Sequence, residues 1–380
     1  MLIMACACAH AISFSEVDCA DIPGAGGSGS HPTFLSKPYI VEMETGGATL
    51  MWQTDMLTTA RIVVRGPGAT GEFRTRNSKR LSSVKIAGLR PDTRYNYTVW
   101  VSSPGGNPRT QVSDAFTTYP VKNRLVNFAI YGDSRSSPER HGSVIGAMSR
   151  ESNLDFVINS GDLVRDGTKI DRWVPEYFQP IEGMSGRIPF YAIRGNHDKD
   201  TFFYQLLGLP KSPKWRSFSV LGIHMICLDS QESFDVGSDQ YKWLISDLVT
   251  HKAAKWKFIL LHSPVYSSGP HGAVDEKGVA KETPVRTGQK LFPELARKYG
   301  IQAVFSGHDH FYERGERDGV QYIISGGGGA GTYAESNPKA NPYRKVFYPG
   351  LHYCIVSVNG DKARVVVKTP EGRVLDRISL

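Results

Sequence analysis

Cysteine is scarce in this 380-residue chain: there are five, and Cys6, Cys8 and Cys19 crowd near its start. That excludes a scaffold built from disulfides. Cys227 in HMICLDS and Cys354 in LHYCIVSV lie inside apolar runs and read as core residues. No apolar run is long enough for a membrane-spanning helix, so no transmembrane segment is expected. No dense lysine or arginine block occurs, which argues against specific nucleic-acid binding. The 45 basic and 37 acidic residues leave a net charge of +8, a solubilising excess that also favours anionic substrates. The glycine-x-serine-x-glycine elbow of serine hydrolases is missing. The glycine run SGGGGAGTY, Ser325 to Tyr333, ends without the lysine and hydroxyl of a P-loop, and reads as a mobile turn near a site rim. His224 and His352 lie in strand-like runs and read as structural.

What is present is enough chain for two cores. The opening MLIMACACAHAISFSEVDCA is briefly apolar but has no basic leader. A degenerate export signal and a plain extension both stay open, and with them a periplasmic or secreted location and a cytoplasmic one. DIPGAGGSGSHP, rich in glycine and serine, reads as flexible. The expected layout is a flexible segment over 1–31, a β-sandwich over 32–120 and an α/β domain over 121–380. No feature specifies an oligomer.

Between Lys37 and Thr118 the rhythm is short strands and turns: KPYIVEMET, GATLMWQTD, TARIVVRG, SSVKIAGL, RYNYTVWVSS and VSDAFTTY. Alternating polar and apolar residues, with turns at regular intervals, predict a small all-β sandwich. GLRPDTRYNYTV resembles the turn and strand of a fibronectin type III or immunoglobulin-like module, in which Leu89 and Tyr95 would pin a loop and Trp52 would sit in the core. After TTYPVKNR the pattern changes. Apolar strand-like runs alternate with helical stretches, clearest at HGSVIGAMSR, SDQYKWLISDLV and KLFPELARKYG. This indicates a β-sheet sandwich flanked by helices. In SDQYKWLISDLV, Ser238 and Asp239 cap the start and Trp243, Leu244 and Leu248 form one face. A terminal hairpin is expected to turn at Asn359-Gly360.

Five of the strand-like runs end in residues that bind metals: Asp133 in YGDSR, Asp162 in SGDLVRDG, Asn196, His197 and Asp198 in RGNHD, His262 in LLHSPVY, and His308 and His310 in SGHDH. Open α/β sheets place their sites at the C-terminal ends of strands. Oxygen and imidazole donors without thiolate suit divalent or trivalent ions of hard or borderline character. Two such ions sharing a carboxylate can activate water and clamp a phosphoryl oxygen.

The ordered series GD, GD, GNHD, H and GHxH resembles the calcineurin-like metallophosphoesterases. The fibronectin-like module in front, with HSPVYSSGPH and GHDHFYER, makes the purple acid phosphatase branch the nearest match. The resemblance implies a metal-dependent phosphoric ester hydrolase. Asp133, Asp162 and His310 would hold a first ion, and Asp162 would bridge to a second held by Asn196, His262 and His308. His197 would stand by the leaving oxygen, oriented by Asp198, and His271 would contact substrate. The cofactor would be two metal ions per chain, iron, manganese or zinc. The partner would be a small phosphoester substrate, hydrolysed by metal-activated hydroxide with His197 as general acid and His271 as helper.

Two positions depart from the family pattern. The tyrosine that binds ferric iron in the purple branch is Arg165 here, and the histidine of the broader family is Arg135. Arginine is a permanent donor and cannot ligate a metal. Both arginines could instead grip phosphate. Phosphomonoesters are the main expected substrates. Phosphodiesterase or broad activity including triesters is an alternative, as is a catalytically weak scaffold.

Overall fold

The computed structural model describes residues 12–17, 20–23, 31–104, 106, 110–122 and 124–380. Cys6, Cys8, Cys19 and most of the glycine- and serine-rich stretch lie outside the described residues. Two compact units result: Met1–Lys122 together with Glu182–Pro189, and Asn123–Ile181 together with Phe190–Leu380.

The first unit is a β-sandwich organised around one 20-residue strand, Gly47–Gly66. It covers both GATLMWQTD and TARIVVRG, which the sequence suggests as separate strands. No glycine or proline interrupts the stretch between them, so the chain bends instead of turning. Its first half pairs with Phe34–Met43 and Lys79–Ala87; its second half pairs with Ala69–Arg74 and Arg94–Ser102. The change of partner falls at a register break between Gln53 and Thr58. Buried hydroxyls replace the interrupted ladder there: Thr54 Oγ1 donates to the Met56 carbonyl at 2.9 Å and lies 3.2 Å from Thr58 Oγ1. The expected corner forms. The Arg90 N–H donates to the Tyr95 hydroxyl at 2.8 Å, and Leu89, Tyr95 and Trp52 are all buried. Part of the segment expected to be flexible is instead ordered. Ser13–Glu16 pairs antiparallel with Lys79–Ala87. The pleat of Ser-Phe-Ser-Glu turns Phe14 onto Phe73, with ring centroids 5.7 Å apart.

The second unit contains two sheets. In one, Val126–Tyr131, Phe156–Asn159 and Phe190–Ala192 run parallel, and Tyr353–Asn359, Lys362–Lys368 and Val374–Ser379 extend it antiparallel. In the other, Ile223–Cys227, Trp256–Leu260, Ala303–Ser306 and Val320–Ser325 run parallel, with antiparallel strands at its sides. The parallel strands are buried on both faces: every residue of FVIN and WKFIL is buried, so both runs are mostly apolar apart from Asn159 and Lys257. Phe128 of the first sheet meets Phe258 of the second at 6.2 Å between centroids, so the sheets share a core.

Helices Asp239–Thr250 and Thr283–Tyr299 cover the second sheet through Leu244, Leu248, Leu291, Phe292 and Leu295. Ser238 caps the first of these, its hydroxyl accepting from the Tyr241 N–H at 3.1 Å. Thr283–Tyr299 begins ahead of the KLFPELARKYG run and ends at Gly300, whose φ of 68° needs a residue free to be left-handed. The terminal hairpin turns at Gly360-Asp361, one residue later than expected, because Asn359 is still paired with Lys362. Cys227 and Cys354 are buried as expected. No described helix is long and apolar enough to cross a membrane.

Candidate metal centre

The strands named above end in the predicted ligands. Asp133 follows Val126–Tyr131, Asp162 follows Phe156–Asn159, and Asn196 and His197 follow Phe190–Ala192. His262 follows Trp256–Leu260, and His308 and His310 follow Ala303–Ser306. The backbone leaves its ordinary range to bring these side chains inward: Asp133, Asp162 and His308 have φ of 58°, 58° and 73°. Left-handed non-glycine residues are held only where surrounding contacts impose them, and such positions gather at functional sites. The glycines of the motifs have a steric cause. A Cβ at Gly195 would lie 2.2 Å from Asp162 Oδ1, and one at Gly307 would lie 2.4 Å from Asp133 Oδ2.

The side chains converge. His262 Nε2 is 3.1 Å from Asn196 Oδ1 and 3.4 Å from Asp162 Oδ1. His310 Nε2 is 3.5 Å from Asp133 Oδ1. The His262 and His308 rings are 4.8 Å apart. Second ring nitrogens are anchored on carbonyls: His262 Nδ1 on Ser160 at 2.9 Å and His310 Nδ1 on Gly331 at 2.8 Å. Such anchoring fixes the tautomer so that Nε2 carries the free lone pair. Burial lowers both imidazoles to about 4, which keeps them neutral and able to ligate.

The site is short of positive charge. Burial, reinforced by the nearby charge of Asp162, pushes the Asp133 carboxyl well above its usual range. Its Oδ1 is buried with no hydrogen-bond partner. Burial also opposes ionisation of Asp162, but His262, His197 and Arg135 together hold it below the ordinary carboxylate value. An orphaned carboxylate oxygen, neutral imidazoles and an amide oxygen form a donor set that fits a divalent metal ion. Two clusters of potential ligands lie at these strand ends: Asp133, Asp162 and His262, and beside them His271, Glu282 and His308.

Asp198 has a different place from the one expected. Its carboxylate is fully buried and accepts from the N–H groups of Asp162, Leu163 and Gly195 at 2.9, 2.8 and 2.8 Å. It therefore fixes the loop that carries Asp162. His197 is oriented by the Arg165 carbonyl, 2.8 Å from its Nδ1. Replacing Asp198 with alanine leaves three buried N–H groups unpaired. At about 1–3 kcal/mol each, the expected loss of stability is at least about 3 kcal/mol. Urea denaturation of Asp198→Ala beside Asp198→Asn checks this, with asparagine recovering part of the loss; equal stability of alanine variant and wild type would refute it.

The two arginines part ways. The Arg165 side chain is exposed, and its contributions are from the backbone: its carbonyl on His197 and its N–H, which donates to Glu176 at 2.7 Å. Arg135 enters the site. Its Nε donates to Asp162 Oδ2 at 3.1 Å, and its Nη2 lies 3.4 Å from His310 Nε2. The guanidinium thus uses lone pairs that a first ion would need. Arg135→His removes that competitor and supplies an imidazole. The first ion is expected to bind at least about tenfold tighter, a change of the size seen when ligand surroundings are altered. Calorimetric titration of metal-free protein measures it, and unchanged affinity would show that Arg135 does not compete.

Sequence reasoning missed three supports. Glu176 is buried and holds the N–H groups of both Ser136 and Arg165, joining the two aspartate loops. Glu282 accepts from His271 at 2.6 Å and lies 3.8 Å from His308. His271 itself lies against His308, with centroids 3.5 Å apart and the rings tilted by 33°, which places it at the second cluster. The glycine run is neither a phosphate cradle nor a mobile turn. Gly326 to Ala330 are buried, and the N–H groups of Gly328 and Ala330 donate to the Gly132 and Asp133 carbonyls, both at 2.8 Å. A Cβ at Gly328 would lie 2.3 Å from the Gly132 carbonyl oxygen, so the run lets two backbones meet. Only Glu282 carries a sequence signal, an acid at a helix start; Glu176 and the glycine packing carry none.

The profile of the calcineurin-like phosphoesterase family matches residues 126–312. Probable purple acid phosphatase 20 of Arabidopsis thaliana is 27% identical over 318 residues, covering 76% of this chain and 70% of its own length. Purple acid phosphatase 22 of the same plant is 29% identical over 259 residues, covering 63% of this chain and 55% of its own. The chain thus spans 55% to 70% of the length of these relatives. A purple acid phosphatase from yellow lupin (Lupinus luteus) seeds superposes with a TM-score of 0.75 at 16% identity, covering 92% of this chain and 74% of that one. The paired sheets, the candidate ligands at their strand ends and these matches show a calcineurin-like metallophosphoesterase fold, similar to that of purple acid phosphatases and preceded by a fibronectin-like β-sandwich.

Proposed function

We propose that the chain hydrolyses phosphate esters, phosphomonoesters above all. The observation that carries this is the placement of Asp162. Its carboxylate lies 3.4 Å from His262 on one side and 3.1 Å from the guanidinium that contacts His310 on the other, so it stands between two ligand sets. Asp133, Asp162 and His310 would hold one ion, and Asp162, Asn196, His262 and His308 the other. Bound there, a pair of ions supplies activated water and neutralises charge on phosphoryl oxygens. Iron, manganese and zinc all suit the donors. With Arg165 in the tyrosine position, ferric iron is less favoured and no purple colour is expected.

The chain's own groups do the rest. His197 keeps Nδ1 on the Arg165 carbonyl and presents Nε2, on a ring about one-third exposed and 3.9 Å from Asp162 Oδ2, to hold the proton for the leaving oxygen. His271, braced by Glu282, offers a second imidazole toward the phosphate. Arg135 has donors beyond the one on Asp162, and these can fork onto a phosphoryl oxygen. The positive charges favour a dianionic monoester over a neutral triester.

The test is elemental analysis of protein prepared without chelator, with turnover of an aryl phosphate monoester and a bis-aryl diester. Near two ions per chain, with the monoester faster, supports the proposal. A faster diester would reassign the substrate class. The contact of Arg135 with two ligands favours a second reading, a catalytically weak scaffold. One ion or none, with no turnover after manganese, zinc or iron is added, would establish it.

A further inference from the structure

A third cluster of potential ligands lies away from this centre: His224, Asp247 and His251, each with a ligand atom within 4.8 Å of the others. His224 is the second residue of strand Ile223–Cys227, in register with Lys257 near the start of Trp256–Leu260. His262 follows the far end of that same neighbouring strand. Lys257 and His262 are five positions apart along nearly extended chain, about 16 Å. Asp247 lies in the last turns of helix Asp239–Thr250, and His251 is its C-cap.

The three side chains touch one another in pairs. His224 Nε2 is 2.7 Å from Asp247 Oδ2; His251 Nδ1 is 3.2 Å from Asp247 Oδ1 and 3.0 Å from the Asp247 carbonyl oxygen, which an ion would have to displace as its partner. The two imidazoles stack with centroids 3.9 Å apart. His224 is completely buried and Asp247 nearly so, while His251 is about one-third exposed, so the cluster is closed below and open on one side.

Groups outside the cluster hold it in place. Ser219 Oγ is 3.0 Å from His224 Nδ1, and Ser217 Oγ donates to Asp247 Oδ1 at 2.6 Å. A hydroxyl on Nδ1 leaves Nε2 as the ligating nitrogen, the usual support of a metal-binding histidine. The helix C-terminus adds negative potential, which favours a cation. The neighbouring Lys257 ammonium is occupied by the carbonyls of Lys252 and Ala254.

We propose that His224, Asp247 and His251 form a separate site for a divalent transition ion, zinc by its chemistry, joining the end of helix Asp239–Thr250 to the strand edge. Two imidazoles and a carboxylate with one side open make a three-ligand zinc set, with water in the fourth position. Calcium and magnesium prefer all-oxygen sites and are disfavoured. Ligation at Nε2 requires the proton of the His224–Asp247 hydrogen bond to shift to Nδ1, where Ser219 Oγ can accept it.

Full-length holoprotein, with its native ions in place, is dialysed against low micromolar zinc and analysed for bound metal. Wild type is expected to take up one more zinc per chain than His251→Ala, a variant changed at a partly exposed cap, whose folding is checked by circular dichroism. Phosphoester turnover should be equal in the two. Ser219→Ala should retain the site but weaken zinc by about 10–100-fold. Cobalt in place of zinc should give the visible absorption of a four-coordinate ion in wild type only. Equal zinc uptake by wild type and His251→Ala, or a zinc-induced rise in melting temperature that is the same in both, would overturn the proposal.

Discussion

Asp162→Ala is expected to lower kcat/KM at least about 10³-fold and to reduce bound metal from two ions toward one or none. Removing a single charge-stabilising group from an active site typically costs about 10²–10³ in rate. Asp162 is placed to serve both ligand sets, so its loss acts twice. The side chain also accepts from the His197 N–H at 3.0 Å and from Arg135, so alanine frees the two groups proposed to meet the substrate. Asp162→Asn separates these roles. It keeps the shape and one acceptor but loses the charge, so it should hold His197 in place while still failing to retain metal. Elemental analysis and aryl phosphate turnover on both variants decide the matter. Two retained ions with near-normal turnover in Asp162→Ala would remove the bridge from the scheme.

His197→Gln is expected to slow hydrolysis of an alkyl phosphate by about 10²-fold or more, within the range for loss of a general acid. A nitrophenyl phosphate should slow by no more than about tenfold, because its leaving group departs without a proton. That contrast distinguishes proton donation from simple binding, which would weaken both substrates alike. The geometry supports donation. The Nδ1 edge is committed to the Arg165 carbonyl, while the ring remains about one-third exposed beside Asp162. Metal content should be unchanged, because His197 is outside both proposed ligand sets. Equal losses on the two substrates would reassign His197 to phosphate binding.

The ligand series was legible because each ligand follows a strand buried on both faces. Runs such as FVIN and WKFIL are buried throughout and mostly apolar, so a cluster of polar residues after them marks a sheet end. The corner at Tyr95 was legible for the same local reason: the turn and its strand lie within a few residues of each other. Asp198 shows the limit. The resemblance implies a carboxylate that orients His197, but the two side chains point to different partners. The carboxylate instead bonds to the N–H groups of Asp162 and Leu163, far back in sequence. Arg135 was legible as a missing ligand; that it lies on Asp162 and His310 depended on three separate strand ends meeting.

By itself the sequence determined the order of the candidate ligands, the two architectures and the arginine at the position of the purple branch's tyrosine, because these depend on residue type, spacing and local periodicity. Tertiary structure alone decided which carboxylate holds which loop, why the glycine run is buried, and that a strand histidine meets a helix end at His224, Asp247 and His251. Those contacts join residues distant in the chain. They are set by backbone hydrogen bonds that must be satisfied and side-chain volumes that must fit, and neither leaves a periodic trace in the sequence.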